Sequence, residues 1–435
     1  MIKILIISRT PWNSNNSFGN TFTNIFGKMD NVELYNICCQ SGTMDSPLVK
    51  KAVQFTERSL IKSVCKRKID PCSVMSIAES ENNQTLRTTR QIPKNTFTYF
   101  ARDIIWDLGQ WKKSKNLHDF LKSLKPDIIY LPIYSSIYMC RFQSYIIKEL
   151  NVPVIGHITD DVYGYQKGAT PLANLYKFSL RRKLRKLIGQ CEYLEVFAKN
   201  MQTEYERIFG KNCYVIGKGI DTTKIDLNPV DKIDIADKPV KFLYTGNIGC
   251  ERYKVLCDIA KAIDNCRGEN NVVLEVYSAT ELTKRMRKKF AKCRSLFFGG
   301  KITYEEVLKK QSEADILVHV ESFSNTAVSA TKMSFSTKII DYMLAKKPVF
   351  AVGPEAVNSI SLLKNNEVAI TVTEKEKILN KVKNIVSGKI DLAGFVNRAL
   401  EYVQSERDIK KIQTGILSRM ERVIKNESAT NQCCL

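Results

Sequence analysis

The sequence predicts an α/β protein built from two doubly wound domains. Three features carry this: short β-branched runs recur along the chain, roughly 10 to 25 residues of helical repeat separate most of them, and the runs fall into two series. Alternating strand and helix implies parallel sheets covered on both faces. A chain of 435 residues is also too long for one hydrophobic core, so two domains of about 200 residues each are expected.

The first series of strands is expected near Lys3 to Ser8, Val32 to Cys39, Asp127 to Ile133, Pro153 to Thr159, Tyr193 to Phe197 and Cys213 to Gly217. The second is expected near Val240 to Thr245, Val272 to Tyr277, Ser295 to Phe298, Asp315 to Val320, Pro348 to Val352 and Val368 to Val372. Segments such as "NLHDFLKSL", "NMQTEYERIF" and "YEEVLKKQSEA" repeat apolar residues every three and four positions and read as the intervening helices. The stretch "KIDLNPVDKIDIADKP", rich in Asp and Pro, reads as the join. This places one domain at 1–225 and a second at 239–435, the latter ending in helices. The region of about 47–110 fits no βαβ unit and reads as an insertion on the first domain.

Composition narrows the class. At 44% apolar and 26% charged, the chain is that of an ordinary globular protein. Only four apolar residues stand together after Lys3, too few for a signal-peptide core, and the longest uncharged run near "IIYLPIYSSIYMC" falls short of the roughly 18 to 20 residues that cross a bilayer. The expected location is cytoplasmic. None of the 13 cysteines forms a C-x-x-C pair and the terminal "CCL" is not a prenylation box, so reduced thiols and a disordered tail are expected, with no metal site and no cofactor. The charge of +22 gathers in runs, "KKAVQFTERSLIKSVCKRK", "RRKLRK" and "KRMRKKFAKCR", that suit a polyanion, whether nucleic acid, an anionic membrane face or a phosphorylated substrate, or serve as solvated helix faces. In "RRKLRKLIGQ" the cations interleave with Leu184, Leu187 and Ile188, which reads either as a membrane-facing apolar edge or as a helix whose leucines face the core.

Ligands of open parallel sheets bind beyond the carboxyl ends of the strands. Four such corners hold suitable residues. After the first strand, Gly19 opens a helix and permits close backbone approach. After Thr245, Gly246 and Gly249 bracket Asn247, with Arg252 and Lys254 at a helix start, a grouping that suits a diphosphate but is neither a Walker A loop nor a dinucleotide fingerprint. "GHITDDVYG" puts His157 beside Asp160 and Asp161 as candidate catalytic groups. After Val320, Glu321 leaves a strand, and Ser336, Thr337 and Lys338 then open a helix that carries Asp341, suiting phosphate oxygens and a ribose diol.

Taken together, "FLYTGNIGCERYK", "HVESF…SFSTKIIDYMLAKKPVFAVGP" and "YVIGKGID" resemble the GT-B superfamily of glycosyltransferases, and within it the retaining family 4 of bacterial surface-polysaccharide type. The resemblance implies two facing Rossmann-like domains, a nucleotide-sugar bound mainly by the second, an acceptor bound mainly by the first, and no required metal. Carried over, Arg252 and Lys254 match the diphosphate-binding cations, Asp341 the acidic residue on the ribose, His157 the cleft histidine near the donor sugar, and Gly19 the first-domain loop glycine. The chain departs from the family in one respect: the usual pair of glutamates seven residues apart is missing, since Glu321 and Asp341 are separated by "SFSNTAVSATKMSFSTKII". The expected function is transfer of a hexose from a UDP- or GDP-sugar to a saccharide or lipid-linked acceptor in polysaccharide or glycoconjugate synthesis. The expected seat is the cytoplasm, with peripheral contact to the inner membrane face and no nucleic-acid partner. A nucleotide-sugar epimerase or phosphorylase of the same fold, or a basic nucleic-acid- or membrane-binding module, are the alternatives.

Overall fold

Ile4, Leu5, Ile6 and Ile7 have no accessible surface, so the strand that contains them is covered on both faces, as a central parallel strand must be. In the computed structural model, which describes residues 1–14, 16–66, 69–75, 96–164, 170–235, 239–266 and 272–432, that strand is β1 (Ile2–Ser8) of an eight-stranded sheet. Its other strands are β2 (Val32–Cys38), β3 (Val49–Phe55), β4 (Cys72–Met75), β5 (Ile128–Pro132), β6 (Val154–Ile158), β7 (Tyr193–Val196) and β8 (Cys213–Val215). The order is β4-β3-β2-β1-β5-β6-β7-β8, parallel throughout except for β4. Chain order therefore reverses between β1 and β5.

The 47–110 region does not stand apart as an insertion: Val49–Phe55 and Cys72–Met75 extend this sheet, and Thr96–Leu108 is a helix. Its basic pattern concealed the strand because β3 carries Lys50 and Lys51 exposed, with Lys50 ion-paired to Glu33 of β2, as strands near a sheet edge commonly do. The polar stretch 78–95 and the tail 433–435 lie outside the described residues.

The second unit, Ile220–Asp408, is built on six parallel strands: β9 (Val240–Thr245), β10 (Val272–Tyr277), β11 (Leu296–Gly300), β12 (Ile316–Val320), β13 (Val349–Val352) and β14 (Ile370–Val372). The order is β11-β10-β9-β12-β13-β14, reversing between β9 and β12. Period-two alternation sorts the side chains into two cores. Phe242, Val318 and Phe350 point into one; Leu243, Leu317, Val349 and Ala351 point into the other, where Ile339 and Ile340 of the helix Lys338–Leu344 join them. The Asp- and Pro-rich join is fastened to this unit, Val230 exchanging bonds of 2.8 and 3.0 Å with Asn397.

The final helix, Ile409–Gln432, groups with Met1–Gly219 rather than with 239–408. Ile416 and Met420 are fully buried in the first unit's core. Arg419 anchors the helix there: its Nη2 lies 2.9 Å from Oε1 of the fully buried Glu195, and its guanidinium stacks 4.5 Å from the Tyr214 ring. Burial raises the Glu195 carboxyl and Arg419 opposes that. Arg419→Ala, which strands a buried carboxylate, is expected to lower the first unit's stability by about 3–5 kcal/mol in denaturant unfolding, with Arg419→Met combined with Glu195→Gln recovering most of the loss. An equal loss in single and double variants would show that the pair is not its source.

Candidate functional site

The reversal between β9 and β12 opens a crevice at their carboxyl ends, and the local sequence shapes it. The chain leaves β9 through Gly246 at φ +148°, and a Cβ there would lie 1.9 Å from Lys338 Nζ, so only glycine admits the lysine. Asn247 folds the turn back on itself: its Oδ1 accepts from Gly249 N at 2.6 Å, and its carbonyl accepts from Tyr244 Oη at 2.7 Å. Cys250 and Glu251 are both left-handed, and this turn delivers Arg252 to the first position of the helix Arg252–Asp264.

From there Arg252 reaches the end of β12. Its Nε and Nη2 donate to the two carboxylate oxygens of Glu321 at 3.1 and 2.9 Å, a bidentate pair whose side chains are 19% and 5% exposed. Two of the five guanidinium N–H groups are thereby used, and the rest have no protein partner among the described residues. Lys338 closes the group from the other side, donating to the Thr245 carbonyl at 2.9 Å and lying 5.7 Å from the centre of the Tyr244 ring. Burial, and then the nearby Arg252 charge, push its ammonium down to about 8. His319, 6% exposed, sits below with Nε2 3.0 Å from Ser359 Oγ, and burial with the two cations holds it down to about 3, so it is neutral at physiological pH. Burial raises Glu321 while Arg252 counteracts.

The remaining residues singled out in this unit stand around that core. Lys254, two positions along the helix from Arg252, projects elsewhere and ion-pairs with Glu251, because residues two apart do not share a helix face. Gly249 lies on the turn, Ser336 half-buried and Thr337 exposed at the start of the Lys338–Leu344 helix, and Asp341 half-buried in its first turn, raising the Lys338 ammonium against the burial.

In the first unit the three catalytic candidates stand in different surroundings. His157 is 2% exposed within an aromatic cage of Phe22, Tyr130 and Phe197. Tyr130 donates its hydroxyl proton to Glu195, so the 2.9 Å contact to His157 Nδ1 has the imidazole donating, and Nε2 has no hydrogen-bond partner. Burial pulls this histidine down to about 3. Asp161 is a turn residue, accepting from Tyr163 N, Gly164 N and Tyr205 Oη at 3.2, 2.8 and 3.0 Å. Asp160 is exposed as a residue, but desolvation about its carboxyl, and then the Asp161 charge, raise that carboxyl. Gly19 is needed for packing: a Cβ there would sit 2.0 Å from the Asn13 carbonyl, and its N–H is taken by the Asn16 cap at 2.7 Å.

The reversal between β1 and β5 holds a polar corner that the sequence did not single out. Arg9, Arg102, Asp103, Ser136, Tyr138 and Tyr176 line a recess of about 20 Å³ there. Asp103 is buried, accepts from Tyr138 N at 2.9 Å, and has its carboxyl raised by burial. In the second unit, Tyr244, Thr245 and Tyr342 were likewise unmarked. Thr245 binds Tyr342 Oη at 3.0 Å and so holds the carbonyl that receives Lys338. Only its position as the last residue of a strand pointed to it.

No protein-family model matches the chain, and no curated protein matches it in sequence. Solved structures match it in fold along nearly its whole length. HepE of Anabaena in complex with UDP superposes at a TM-score of 0.59 with 13% identity, covering 97% of this chain and 100% of that one. Sucrose-phosphate synthase of Thermosynechococcus elongatus gives 0.63 and 12%, covering 98% and 100%. A trehalose-6-phosphate protein of E. coli bound with UDP-2-fluoro glucose gives 0.58 and 10%, covering 96% and 98%. At such identities the likeness is one of fold: the chain has the α/β fold of these GT-B neighbours.

Proposed function

We propose that this chain is a glycosyltransferase that takes a nucleotide-sugar on its second unit and passes the hexose to a saccharide or lipid-linked acceptor, in the manner of retaining family 4 enzymes of polysaccharide or glycoconjugate synthesis. The observation that carries the reading is the convergence of Arg252 and Lys338 at the β9–β12 reversal, where Lys338 has only a carbonyl and a ring face for direct partners among the described residues. Two cations fixed at a crevice of this kind suit a diphosphate. The neighbours HepE and the E. coli protein were solved with UDP or a UDP-sugar, which supports a uridine donor, and GDP is the other base considered.

In the proposed reaction the acceptor hydroxyl bonds to the anomeric carbon as that carbon's bond to the diphosphate oxygen breaks. The electron pair leaves on the diphosphate, and with retained configuration the hydroxyl proton goes to that departing oxygen. Arg252 and Lys338 meet the charge as it develops, and Glu321 keeps the guanidinium oriented before substrate arrives. The reading calls for no metal and no cofactor. Asp341 is the residue proposed to hold the ribose, and the Arg9–Asp103 corner is the proposed acceptor side. A lipid-linked acceptor would bring the first unit to an anionic membrane face of the cytoplasm. No described helix is long and apolar enough to cross a membrane.

Thermal-shift measurement with UDP, GDP and their sugars tests the donor, since a ligand at 100 times its Kd adds about 2.7 kcal/mol of stability. Arg252→Ala and Lys338→Ala are each expected to lower turnover by roughly 10²-fold or more, and Lys254→Ala by much less, because only the first two converge on the crevice. Near-normal turnover in both would remove the diphosphate site. The depressed ammonium also sets a pH dependence. Below pH 8 the folded chain bears the cost of a buried charge; between about 8 and 10.5 the folded chain sheds that proton while the unfolded chain keeps it, so the second unit gains stability as pH rises through this window. Diphosphate binding favours the charged form, so nucleotide affinity should fall as pH rises above 8, and Lys338→Met should flatten both trends.

A further inference from the structure

Away from the strand ends, the first unit holds a cavity of about 360 Å³ between the turn Gln110–Lys113 and the helices Ile137–Leu150 and Pro171–Gly189. Lys112, Arg141, Lys183 and Lys186 line it against a single carboxylate, Asp107, which Arg141 ion-pairs. Trp111 and Tyr145 form its aromatic wall, with Lys112 Nζ 5.2 and 6.0 Å from their ring centres. Neither Lys183 nor Lys186 ion-pairs with a carboxylate among the described residues, and the Lys183 charge acts on the buried Cys140 thiol. Four cations, three of them without an ion pair to a carboxylate among the described residues, converge on a concave surface that no part of the proposed transfer uses.

The helix supplying Lys183 and Lys186 explains why they point here. Of the run "RRKLRK", Arg181 stacks 4.0 Å from the Tyr163 ring and donates to that residue's carbonyl, and Arg185 Nε donates to Tyr163 Oη at 3.2 Å. Leu184, Leu187 and Ile188 are fully buried, so the apolar edge read from the sequence faces the core and not a membrane. The exposed apolar surface lies earlier on the same helix, at Leu172, Leu175 and Phe178, and on the helix Thr96–Leu108, at Phe97, Ile104 and Leu108; all six side chains are more than half exposed, the least at 51%. The two helices lie side by side, Tyr176 meeting Tyr99 at 6.0 Å and Phe100 at 5.1 Å, and Leu108 is the chain neighbour of Asp107 and Gly109, both of which line the cavity.

We propose that this cavity binds the phosphate group of a phosphorylated ligand, and that the apolar strip beside it marks an anionic lipid as the source. Lysine ammonium groups match a phosphate's charge without demanding one orientation, and the exposed leucine and phenylalanine side chains give the acyl region a surface to lie against. Naming a lipid leans on the acceptor side of the proposed function, but the site's existence does not.

The test is flotation of the full chain with phosphatidylcholine vesicles lacking or containing phosphatidylglycerol, alongside calorimetric titration with inorganic pyrophosphate in saturating UDP, which occupies the proposed donor site. Wild type is expected to float only with the anionic vesicles. Lys183→Glu with Lys186→Glu should weaken this by at least about tenfold, and Leu175→Ser with Phe178→Ser should weaken it as well. Thermal shifts by UDP should be unchanged in all variants, which separates failure here from failure of the donor reading. Pyrophosphate binding lost in the double lysine variant, without flotation of wild type, supports the phosphate site with a soluble source. Flotation equal on neutral and anionic vesicles, flotation untouched by the lysine changes, or no binding to vesicles or pyrophosphate would overturn the proposal.

Discussion

Arg252 and Glu321 form an ion pair at the carboxyl end of the second sheet with little water around it, and the geometry of the site follows from the need to hold that pair. Taking two such charges out of water costs several kcal/mol each, which only close, bidentate geometry repays. The left-handed turn at Cys250 and Glu251 aims the arginine, and the end of β12 fixes the carboxylate. Gly246 leaves the space through which Lys338 joins them. Burial first, and then the Arg252 charge beside it, lower the Lys338 ammonium, so the second cation is held at a cost. Proteins place charges so uncomfortably where something arrives to relieve them, and a diphosphate is the proposed arrival.

The first unit uses the same kind of pair to a different end. Arg419 and Glu195 are joined through Tyr130 to His157 in one buried chain of hydrogen bonds. Here the cation comes from the last helix of the polypeptide, and the pair fastens that helix to the sheet. Because the carboxylate is satisfied by Arg419 and Tyr130 and the aromatic cage excludes water, the histidine stays neutral and its Nδ1 proton is fixed in place. In the second unit the cluster lies at an open strand end; in the first, the network lies inside.

Much of this was written in the sequence. Strands with most of their residues buried announce themselves as short runs rich in apolar and β-branched residues, which is why β1, β9, β10 and β12 stand within a residue or so of where the pattern puts them. β3 and β4 were hidden because strands toward an edge need not be apolar, and Lys50 and Lys51 imitate a basic helix. The destination of the last helix was hidden too, since an amphipathic pattern says that a face will be buried but not against which sheet. Within the site, Arg252 and Lys338 were legible as cations at helix starts. Their convergence depends on strand order, which brings β9 beside β12 across more than 70 residues of chain, and no local pattern encodes that. For the same reason Lys254 looks equivalent to Arg252 in the sequence, although the helix turns it toward Glu251.

The most direct test is a crystal structure of the chain with a nucleoside diphosphate. The diphosphate oxygens should lie at charge-assisted hydrogen-bond distance, about 2.7–2.9 Å, from Arg252 and Lys338, with the Arg252–Glu321 pair retained. A diphosphate bound elsewhere on the chain, with both side chains left as they stand in the empty site, would contradict the central claim.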